Sequence, residues 1–283
     1  MKKNLKALLA DKLKPQELEL ISKSYDIIGD IAVIRITESL KKHNRIIARA
    51  IMQTHKQVKT VCRQITPVSG DFRLRNLEFV LGERKTETLH REYGCIFKVD
   101  LGKCYFSPRL SYERMRIAQH IQQGETILNM FSGVGSYSII IAKHSKPKKI
   151  FSIDINPTAI QYMRENIKLN KIEERVIPIQ EDSRKAIEER FPKVADRVLM
   201  PLPERAHEYL GSALLALNPN GGWIHYYAFE HAKRMEDPIE KTRTKVSEKL
   251  HTLDADFEVT FGRVVRTTGP NWYQVVLDIR LKN

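Results

Sequence analysis

From about residue 110 onward, the sequence alternates between strand-like and helix-like segments. Apolar, β-rich runs such as ETILNMF, KKIFSIDI and RVIPIQED are each followed by a stretch with helical spacing. Repeated β–α units of this kind bury both faces of their strands in a largely parallel, doubly wound sheet, whose ligands bind at the carboxyl ends of the strands. The alternation predicts an α/β domain over residues 109–283, with FEVTFGRVVRTTG and WYQVVLDIRL closing the sheet as a hairpin.

The first hundred residues follow a different pattern. YDIIGDIAVIRI has a strand–turn–strand signal, ESLKKHNRIIARAIMQTH has helical spacing, and shorter strand candidates follow. These segments predict a small α+β domain over residues 21–108, preceded by an amphipathic helical extension over residues 1–20. The N-terminus lacks the apolar block of a secretion signal, and no apolar run reaches the roughly 18 residues of a membrane span. We therefore expect a cytoplasmic protein without membrane contact.

The charge balance is strongly basic. Lys and Arg number 48 against 34 Asp and Glu, a formal excess of 48 − 34 = 14. Such an excess favours a polyanionic partner such as a nucleic acid, and the alternative is an ordinary basic surface. Cys62, Cys95 and Cys104 are far apart and lack the paired spacing of metal ligands, so we expect reduced thiols and no metal site.

A Gly-x-Gly turn follows the first strand of the alternating region. ILNMFSGVGSYSI predicts a strand, a turn at Gly133 and Gly135, and a helix whose free amides face a ligand. Asp154 ends the next strand about twenty residues later, where a carboxylate can accept hydrogen bonds from ribose hydroxyls. Asp182 ends the third strand, within reach of an adenine amino group. The alternative for both aspartates is a helix N-cap.

The glycine motif is shorter than the one typical of dinucleotide-binding enzymes. Ser138 stands where that motif has its third glycine. Together with the Asp154 spacing and the closing hairpin, this difference favours S-adenosylmethionine (SAM) as the cofactor.

The segments CYFSPRLSYERMRI, NMFSGVGSYSI, DINP, ADRVLMPLP and IHYY together resemble one family. It is that of the archaeal and eukaryotic class I tRNA (guanine-37) methyltransferases, some of which serve wyosine biosynthesis. The resemblance runs from about residue 21 to the end and implies a Rossmann-like class I methyltransferase domain behind a small α+β domain. It also implies SAM as cofactor and the anticodon stem-loop of tRNA as partner. Many archaeal members have a further N-terminal domain, which we expect here to be absent or reduced to a helix.

The resemblance assigns roles to individual residues. Glu113 matches the general base or proton relay at the target base, and Arg73 matches an arginine that contacts guanine and stabilises charge on its O6. Arg109 and Arg114 match positions that hold tRNA phosphates, and Arg75, close to Arg73 in the sequence, is a neighbouring candidate for tRNA contact. The positions matched to the cofactor pocket are Tyr105, Phe131, Gly133, Gly135, Asp154, Ile155, Asp182 and Pro203.

These positions also have plainer interpretations. Glu113 could simply suit the start of a helix and pair with Arg109, Arg73 could lie on a solvated strand face, and Tyr105 could be ordinary core.

Two positions depart from the family pattern. Asn129 stands where the glycine motif commonly begins with Asp, so contact with the cofactor's amino group loses a charge. Pro201 stands where members that methylate only N1 of guanosine have Asn, and proline offers no side-chain hydrogen bond. Pro-Leu-Pro resembles the subgroup linked to methylation at C7 of 4-demethylwyosine, giving isowyosine, in some members together with N1 methylation of guanosine 37. We therefore count Pro201 among the catalytic-site residues.

Two other functions stay open. One is the related aminocarboxypropyl transferase of the same pathway, against which SPRL and DINP argue. The other is a non-catalytic tRNA-binding protein, supported only by Asn129 and Pro201. The expected oligomeric state is a monomer.

Overall fold

The computed structural model describes residues 5–21 and 24–282. The chain divides between Arg109 and Leu110 into two units. No helix among the described residues is long and apolar enough to cross a membrane.

The first unit combines short helices with a mixed sheet. Its elements are α1 (Leu5–Leu9), α2 (Pro15–Glu19), β1 (Asp26–Ile28), β2 (Ile31–Ile34), a 3₁₀ helix (Glu38–His43), α3 (Asn44–Thr54), β3 (Thr60–Gln64), β4 (Leu77–Gly82), β5 (Glu87–Glu92) and β6 (Cys95–Asp100). The sheet order is β1-β2-β3-β4, with β2 and β3 parallel and the other pairs antiparallel. β5 and β6 form a separate antiparallel hairpin.

The core of the first unit includes its first helices. Leu5, Leu9 and Leu13 belong to the same buried cluster as Ile47 and Ile51 of α3. The helical spacing of α3 places those two isoleucines on one face, and that face packs on the sheet. The N-terminal helices are thus part of the core of this unit.

The second unit begins with α4 and then alternates as the sequence predicts. Its elements are α4 (Ser111–His120), β7 (Thr126–Asn129), α5 (Ser136–His144), β8 (Lys149–Asp154), α6 (Pro157–Asn170), β9 (Val176–Gln180), α7 (Ser183–Arg190), β10 (Arg197–Met200), α8 (Leu210–Ala216), β11 (Gly222–His231), α9 (Pro238–His251), β12 (Phe257–Gly269) and β13 (Trp272–Leu281).

These strands form one seven-stranded sheet, which confirms the predicted α/β architecture. The order is β12-β13-β11-β10-β7-β8-β9. The strands β7 to β11 pair in parallel, and β12 and β13 close the sheet as the predicted antiparallel hairpin. The chain runs outward from β7 through β8 to β9 and then crosses back to β10, so the direction of winding reverses between β7 and β10.

One predicted helix is shorter than expected. The helical spacing of ERAHEYLGSALLAL predicts one helix over the whole segment, but α8 begins only at Leu210. Before it, the amides of Arg205, Glu208 and Tyr209 donate to carbonyls three residues back, as in successive turns. The two prolines at the end of β10 precede these turns, and a residue before proline is disfavoured in helical conformation.

The N-terminal helices allow a matched stability test. Leu9 is fully buried, whereas Leu20 is 51% exposed. We expect Leu9→Ala to lower the free energy of unfolding of the first unit by about 2–5 kcal/mol, because it leaves a cavity. Leu20→Ala is the control and should change that free energy by less than about 0.5 kcal/mol. Urea unfolding measures both, and equal effects would contradict a shared core.

Candidate functional site

Two candidate residues leave the sheet on either side of the winding reversal. Asn129 of β7 lies opposite Leu199 of β10. Phe131 and Pro201 each follow two residues later, so they leave the sheet at the same height. Ligands of open α/β sheets bind in the crevice at such a reversal. Pro201 is half-buried there, and Pro203 beyond it is buried.

The strand register on the other side of β7 sets the positions of Asp154 and Asp182 in the same way. Ser152 of β8 also lies opposite Asn129, and Asp154 follows it by two residues. Asp154 pairs with Gln180 of β9, and Asp182 follows that residue by two. The spacing of the sequence motifs is thus converted into one line of side chains along the carboxyl edge of the sheet.

The Asp154 carboxylate orders the glycine turn. The amide of Gly133 donates to its Oδ2 at 2.6 Å, and the amide of Asn156 donates to its Oδ1 at 2.9 Å. Burial raises the pKa of Asp154, and these two hydrogen bonds oppose that rise. Asn156, not Asp154, caps α6, so the N-cap alternative is wrong for Asp154.

Gly135 has φ 86°, a conformation that favours glycine. A Cβ added there would lie 2.8 Å from Cγ of Met163, so the turn leaves no room for a side chain.

Asp182 does cap a helix. Its Oδ1 accepts hydrogen bonds from the amides of Arg184 and Lys185 at the start of α7. Its Oδ2 accepts one from the hydroxyl of Tyr209 at 2.6 Å. Asp182 is therefore the N-cap of α7, as the alternative interpretation predicts. Its contact with adenine stays a prediction.

Tyr209 connects two parts of the site and was missed by the sequence reasoning. Its ring meets the Phe131 ring edge to face, with centroids 5.1 Å apart, while its hydroxyl binds Asp182. Burial and the Asp182 hydrogen bond raise its pKa to about 12. No sequence motif marked it, because it lay inside a segment predicted as ordinary helix. Ile155, in contrast, is 47% exposed next to Asp154.

Asn129 is fully buried at the end of β7. Its Nδ2 donates to Oγ of Ser138 at 3.1 Å, and Ser152 donates to the same oxygen. Its Oδ1 has no hydrogen-bond partner within residues 5–21 and 24–282. An unpaired buried acceptor is costly, so this oxygen fits a donor group on a ligand.

Glu113 lies in the first turn of α4 with 1% of its surface exposed. Arg116, three residues further along the helix, donates to both of its oxygens, from Nη2 at 2.7 Å and from Nε at 3.0 and 3.1 Å. The hydroxyl of Tyr227 donates to Oε1 at 2.8 Å. Tyr227 belongs to the IHYY segment of β11. In that segment His225 lies opposite Leu199 of β10, and Tyr227 and Pro201 come two residues after these partners on their own strands. The candidate base therefore lies at the same edge of the sheet.

Arg114 does not suit its predicted contact with tRNA phosphates. It is only 1% exposed. A guanidinium buried to this extent cannot meet a phosphate that stays in solvent, and removing both charges from water is costly. We therefore regard Arg114 as an interior residue of the site region.

Behind Arg116 lies a second buried carboxylate, Asp278 of β13. Arg116 donates from Nη1 to Oδ2 at 2.6 Å and from Nη2 to Oδ1 at 3.1 Å. Burial opposes ionisation of Asp278, but the hydrogen bonds from His225 and Arg116, together with the positive charge of Arg116, outweigh burial and hold its pKa well below the usual range.

His225 is neutral, and its tautomer follows from its neighbours. Its Nε2 lies 2.7 Å from Nη1 of Arg197, and its Nδ1 lies 2.6 Å from Oδ1 of Asp278. A guanidinium only donates, so Nε2 must accept and Nδ1 must carry the proton. Burial lowers the pKa of His225, in agreement with this assignment. Arg197 continues the chain of contacts to Glu125, with two hydrogen bonds of 2.9 Å.

The other four predicted residues lie in the first unit. Arg73 has φ 53° in a turn closed by a 2.9 Å hydrogen bond to the carbonyl of Gly70. Its guanidinium carbon lies 4.3 Å from the centroid of the Tyr105 ring. Left-handed backbone at a non-glycine residue costs roughly 1 kcal/mol or more and is found at functional sites.

Arg75 and Arg109 share one carboxylate, that of Asp26. Nε of Arg109 lies 2.6 Å from Oδ1, and Nη1 of Arg75 lies 3.7 Å from Oδ2. The Arg109 side chain is 44% exposed, whereas that of Arg75 is 10% exposed. Of the two, Arg109 has the accessible surface that a phosphate contact needs.

The fold and the residues at its carboxyl edge define a Rossmann-like transferase of the class I methyltransferase type. A model of the TRM5/TYW2 methyltransferase domain matches residues 88–254, and a model of the TYW2 N-terminal domain matches residues 5–86. The chain therefore belongs to the TRM5/TYW2 methyltransferase family. The match begins at residue 5, earlier than the resemblance from about residue 21 expected.

Relatives and solved structures agree with this membership. The chain is 44% identical to tRNA (guanine(37)-N(1))-methyltransferase Trm5b of Pyrococcus abyssi, over 94% of this chain and 78% of that protein. It is 37% identical to tRNA 4-demethylwyosine(37)-methyltransferase Taw21 of Saccharolobus solfataricus, over 94% and 96% respectively. The crystal structure of Methanocaldococcus jannaschii TYW2 in complex with AdoMet superposes with a TM-score of 0.67 at 29% identity, over 92% of this chain and 100% of that one.

The state of His225 predicts how stability depends on pH. The unfolded histidine binds a proton below about pH 6.5, whereas the folded one resists it, so the unfolded state binds more protons as pH falls. We expect the free energy of unfolding to decrease between about pH 7 and about pH 5, with a slope from this residue of at most about 1.4 kcal/mol per pH unit. His225→Asn removes the titrating group and keeps an N–H donor for Asp278, so this part of the slope should vanish.

Urea unfolding at a series of pH values measures the slope. The control is His120→Asn, which changes an exposed histidine of α4 and should leave the slope as it is. A slope that survives His225→Asn would show that His225 is not the titrating group.

Proposed function

We propose that this chain is a SAM-dependent methyltransferase that acts on nucleotide 37 of tRNA, with C7 of 4-demethylwyosine as its distinguishing target. N1 of guanosine 37 is the second target atom of the same site. The observation that carries the proposal is the register at the winding reversal, where Pro201 leaves β10 at the height at which Phe131 of the glycine motif leaves β7. The residue that departs from the N1-specific pattern thus stands beside the cofactor motif.

The residues at the carboxyl edge fit SAM. The glycine turn precedes the free amides at the start of α5, and Asp154 ends β8 at the position where a carboxylate can accept hydrogen bonds from a ribose. Oδ2 of Asp182 retains one lone pair for the adenine amino group after accepting from Tyr209. The unpaired Oδ1 of Asn129 suits the ammonium of the cofactor's methionine part. When bound, SAM supplies an electrophilic methyl group.

Glu113 is proposed to take the proton that the target atom loses. The Glu113 carboxylate would take the proton released from N1 of guanosine or from C7 of demethylwyosine, and the loss of the methyl group would convert SAM into S-adenosylhomocysteine. The hydroxyl of Tyr227 and the fork of Arg116 fix the direction of that carboxylate. Arg73 is assigned to the negative charge that develops on the base oxygen.

Pro201 suits a tricyclic base better than a guanine edge. It has neither a side-chain amide nor a backbone N–H to bind the base edge, so it offers contact area only. An electron-rich ring carbon needs alignment and stacking more than an edge hydrogen bond. With the buried Pro203, Pro201 forms a rigid apolar wall.

Charge and exposure support tRNA as the partner. The formal charge is +14, and Arg109 has an exposed guanidinium. Binding through the anticodon stem-loop, a monomeric state and a location in the cytoplasm remain predictions from the sequence.

One incubation tests the target atom. Labelled SAM is supplied with tRNA that carries either guanosine or 4-demethylwyosine at position 37, and nucleoside mass spectrometry identifies the product. We expect isowyosine from the second substrate. A product with the mass of an aminocarboxypropyl group would assign the chain to that transferase instead, and absence of both SAM binding and product would favour a non-catalytic tRNA-binding protein.

Pro201→Asn should shift the choice between the two atoms. The new amide can bind the guanine edge, and one added hydrogen bond corresponds to about a tenfold rise in the ratio of N1 to C7 product. The matched control is Pro219→Asn, at an exposed proline after α8, which should leave the ratio as it is. A ratio unchanged by Pro201→Asn would contradict the assigned role.

Glu113→Gln should lower the rate of methyl transfer by at least about 100-fold, because the amide cannot accept the proton. SAM affinity, measured by calorimetry, should stay the same, since Glu113 is not assigned to the cofactor. Retention of the wild-type rate would remove Glu113 from the mechanism.

A further inference from the structure

Arg116 binds two carboxylates with one guanidinium. Its Nε and Nη2 face Glu113, and its Nη1 and Nη2 face Asp278. Four of its five N–H groups are used in this way. The ring of Phe261 lies below, with its centroid 4.9 Å from the guanidinium carbon. The orientation of Arg116 is therefore fixed from three sides.

Three of the residues that meet at this point are deeply buried. Glu113 is 1% exposed, Asp278 is 5% exposed and Arg116 is 7% exposed. Buried charges interact strongly because water screens them little. A change at Asp278 should thus be felt at Glu113 through their shared guanidinium.

Among the described residues, few further charges lie near this cluster, and one is the buried guanidinium of Arg114, whose charge acts on Tyr137 together with those of Glu113 and Arg116. Besides Arg116 on its own helix, Glu113 faces Tyr227 from β11 and Arg263 from β12, whose Nε lies 3.5 Å from Oε2. The Tyr137 ring of α5 packs on Tyr227, with centroids 6.0 Å apart. On the far side, Asp278 meets the neutral His225, beyond which lie Arg197 and Glu125.

We propose that Asp278 is a positioning residue for Glu113: it holds Arg116 in place and takes up part of its positive charge. This inference rests on the proposed role of Glu113 as proton acceptor. An arginine that served Glu113 alone would stabilise the ionised carboxylate more and make it a weaker proton acceptor. By sharing the guanidinium, Asp278 keeps Glu113 oriented and withholds part of that stabilisation from it.

His225 completes the arrangement. Its protonated Nδ1 donates to the same Oδ1 that receives Nη2 of Arg116. Since Arg197 fixes the tautomer, Nδ1 of His225 carries the proton and holds Oδ1 of Asp278 next to Arg116. Successive hydrogen bonds thus connect Arg197 of β10 and His225 of β11, through Asp278 and Arg116, to Glu113 in the first turn of α4.

The test replaces the charge of Asp278 and follows Glu113 directly. In Asp278→Asn the guanidinium is left to Glu113 alone. Glutamate labelled with ¹³C at Cδ is incorporated, and the Glu113 signal is assigned by its loss in Glu113→Gln. We expect the pH midpoint of that signal to move to lower pH by at least about one unit in Asp278→Asn. The rate of methyl transfer should fall at least about tenfold, and the acidic limb of its pH–rate profile should also move to lower pH. KM for tRNA should stay within about twofold of the wild-type value.

Glu125→Gln is the matched control, because it removes a charge from the same network on the far side of neutral His225. It should lower thermal stability without moving the Glu113 midpoint. Arg116→Lys is the second variant, which keeps the charge but loses the fork. It should lower kcat and leave the Glu113 midpoint different from that of the wild type. This variant is measured if Asp278→Asn does not fold.

A Glu113 midpoint that is the same in wild type and Asp278→Asn, or that moves as far in Glu125→Gln, would overturn the inference. The NMR titration needs no turnover, so it gives an answer even if the proposed reaction fails. A wild-type protein that does not methylate either tRNA would count against the proposed function alone.

Discussion

The parallel pairing of β7 with β8 on one side and β10 on the other is the constraint on which the site depends. Asn129 lies opposite both Ser152 and Leu199, so three chain segments leave the sheet at one height. Because side chains alternate between the faces of a strand, a slip by one residue would turn Asp154 or Pro201 away from the crevice. The apolar core on both faces of the sheet fixes this register, and the register in turn fixes the positions of the site residues.

The same unit also buries several charged side chains, among them Glu113, Arg116, Arg197 and Asp278. Burying an ion costs several kcal/mol unless partners and hydrogen bonds compensate. Here Arg116 joins two carboxylates, and Arg197 joins Glu125 to a neutral histidine. Replacing such a network with apolar residues often stabilises a protein. Its presence beside the candidate base is therefore better explained by the chemistry of the site than by stability.

The sequence contained enough to predict the sheet, the glycine turn and Asp154. Those features are local, since a strand, a turn and a carboxylate recur at fixed short spacings. It did not contain enough to predict the Tyr227 hydroxyl that meets Glu113 or the second carboxylate that meets Arg116. Arg116 and Asp278 are 162 residues apart, and only the pairing of β13 with β11 brings them together. Burial of Arg114 was also beyond local patterns, because its neighbours in the motif gave no sign of which face of α4 points inward.

The position of β13 has a consequence for synthesis. A ribosome delivers Asp278 only 162 residues after Arg116. Until β13 enters the sheet between β11 and β12, the candidate base has an arginine without its second carboxylate. Contacts of such long sequence separation form late and slowly. The arrangement of carboxylates around Arg116 is therefore complete only once β13 has paired with β11.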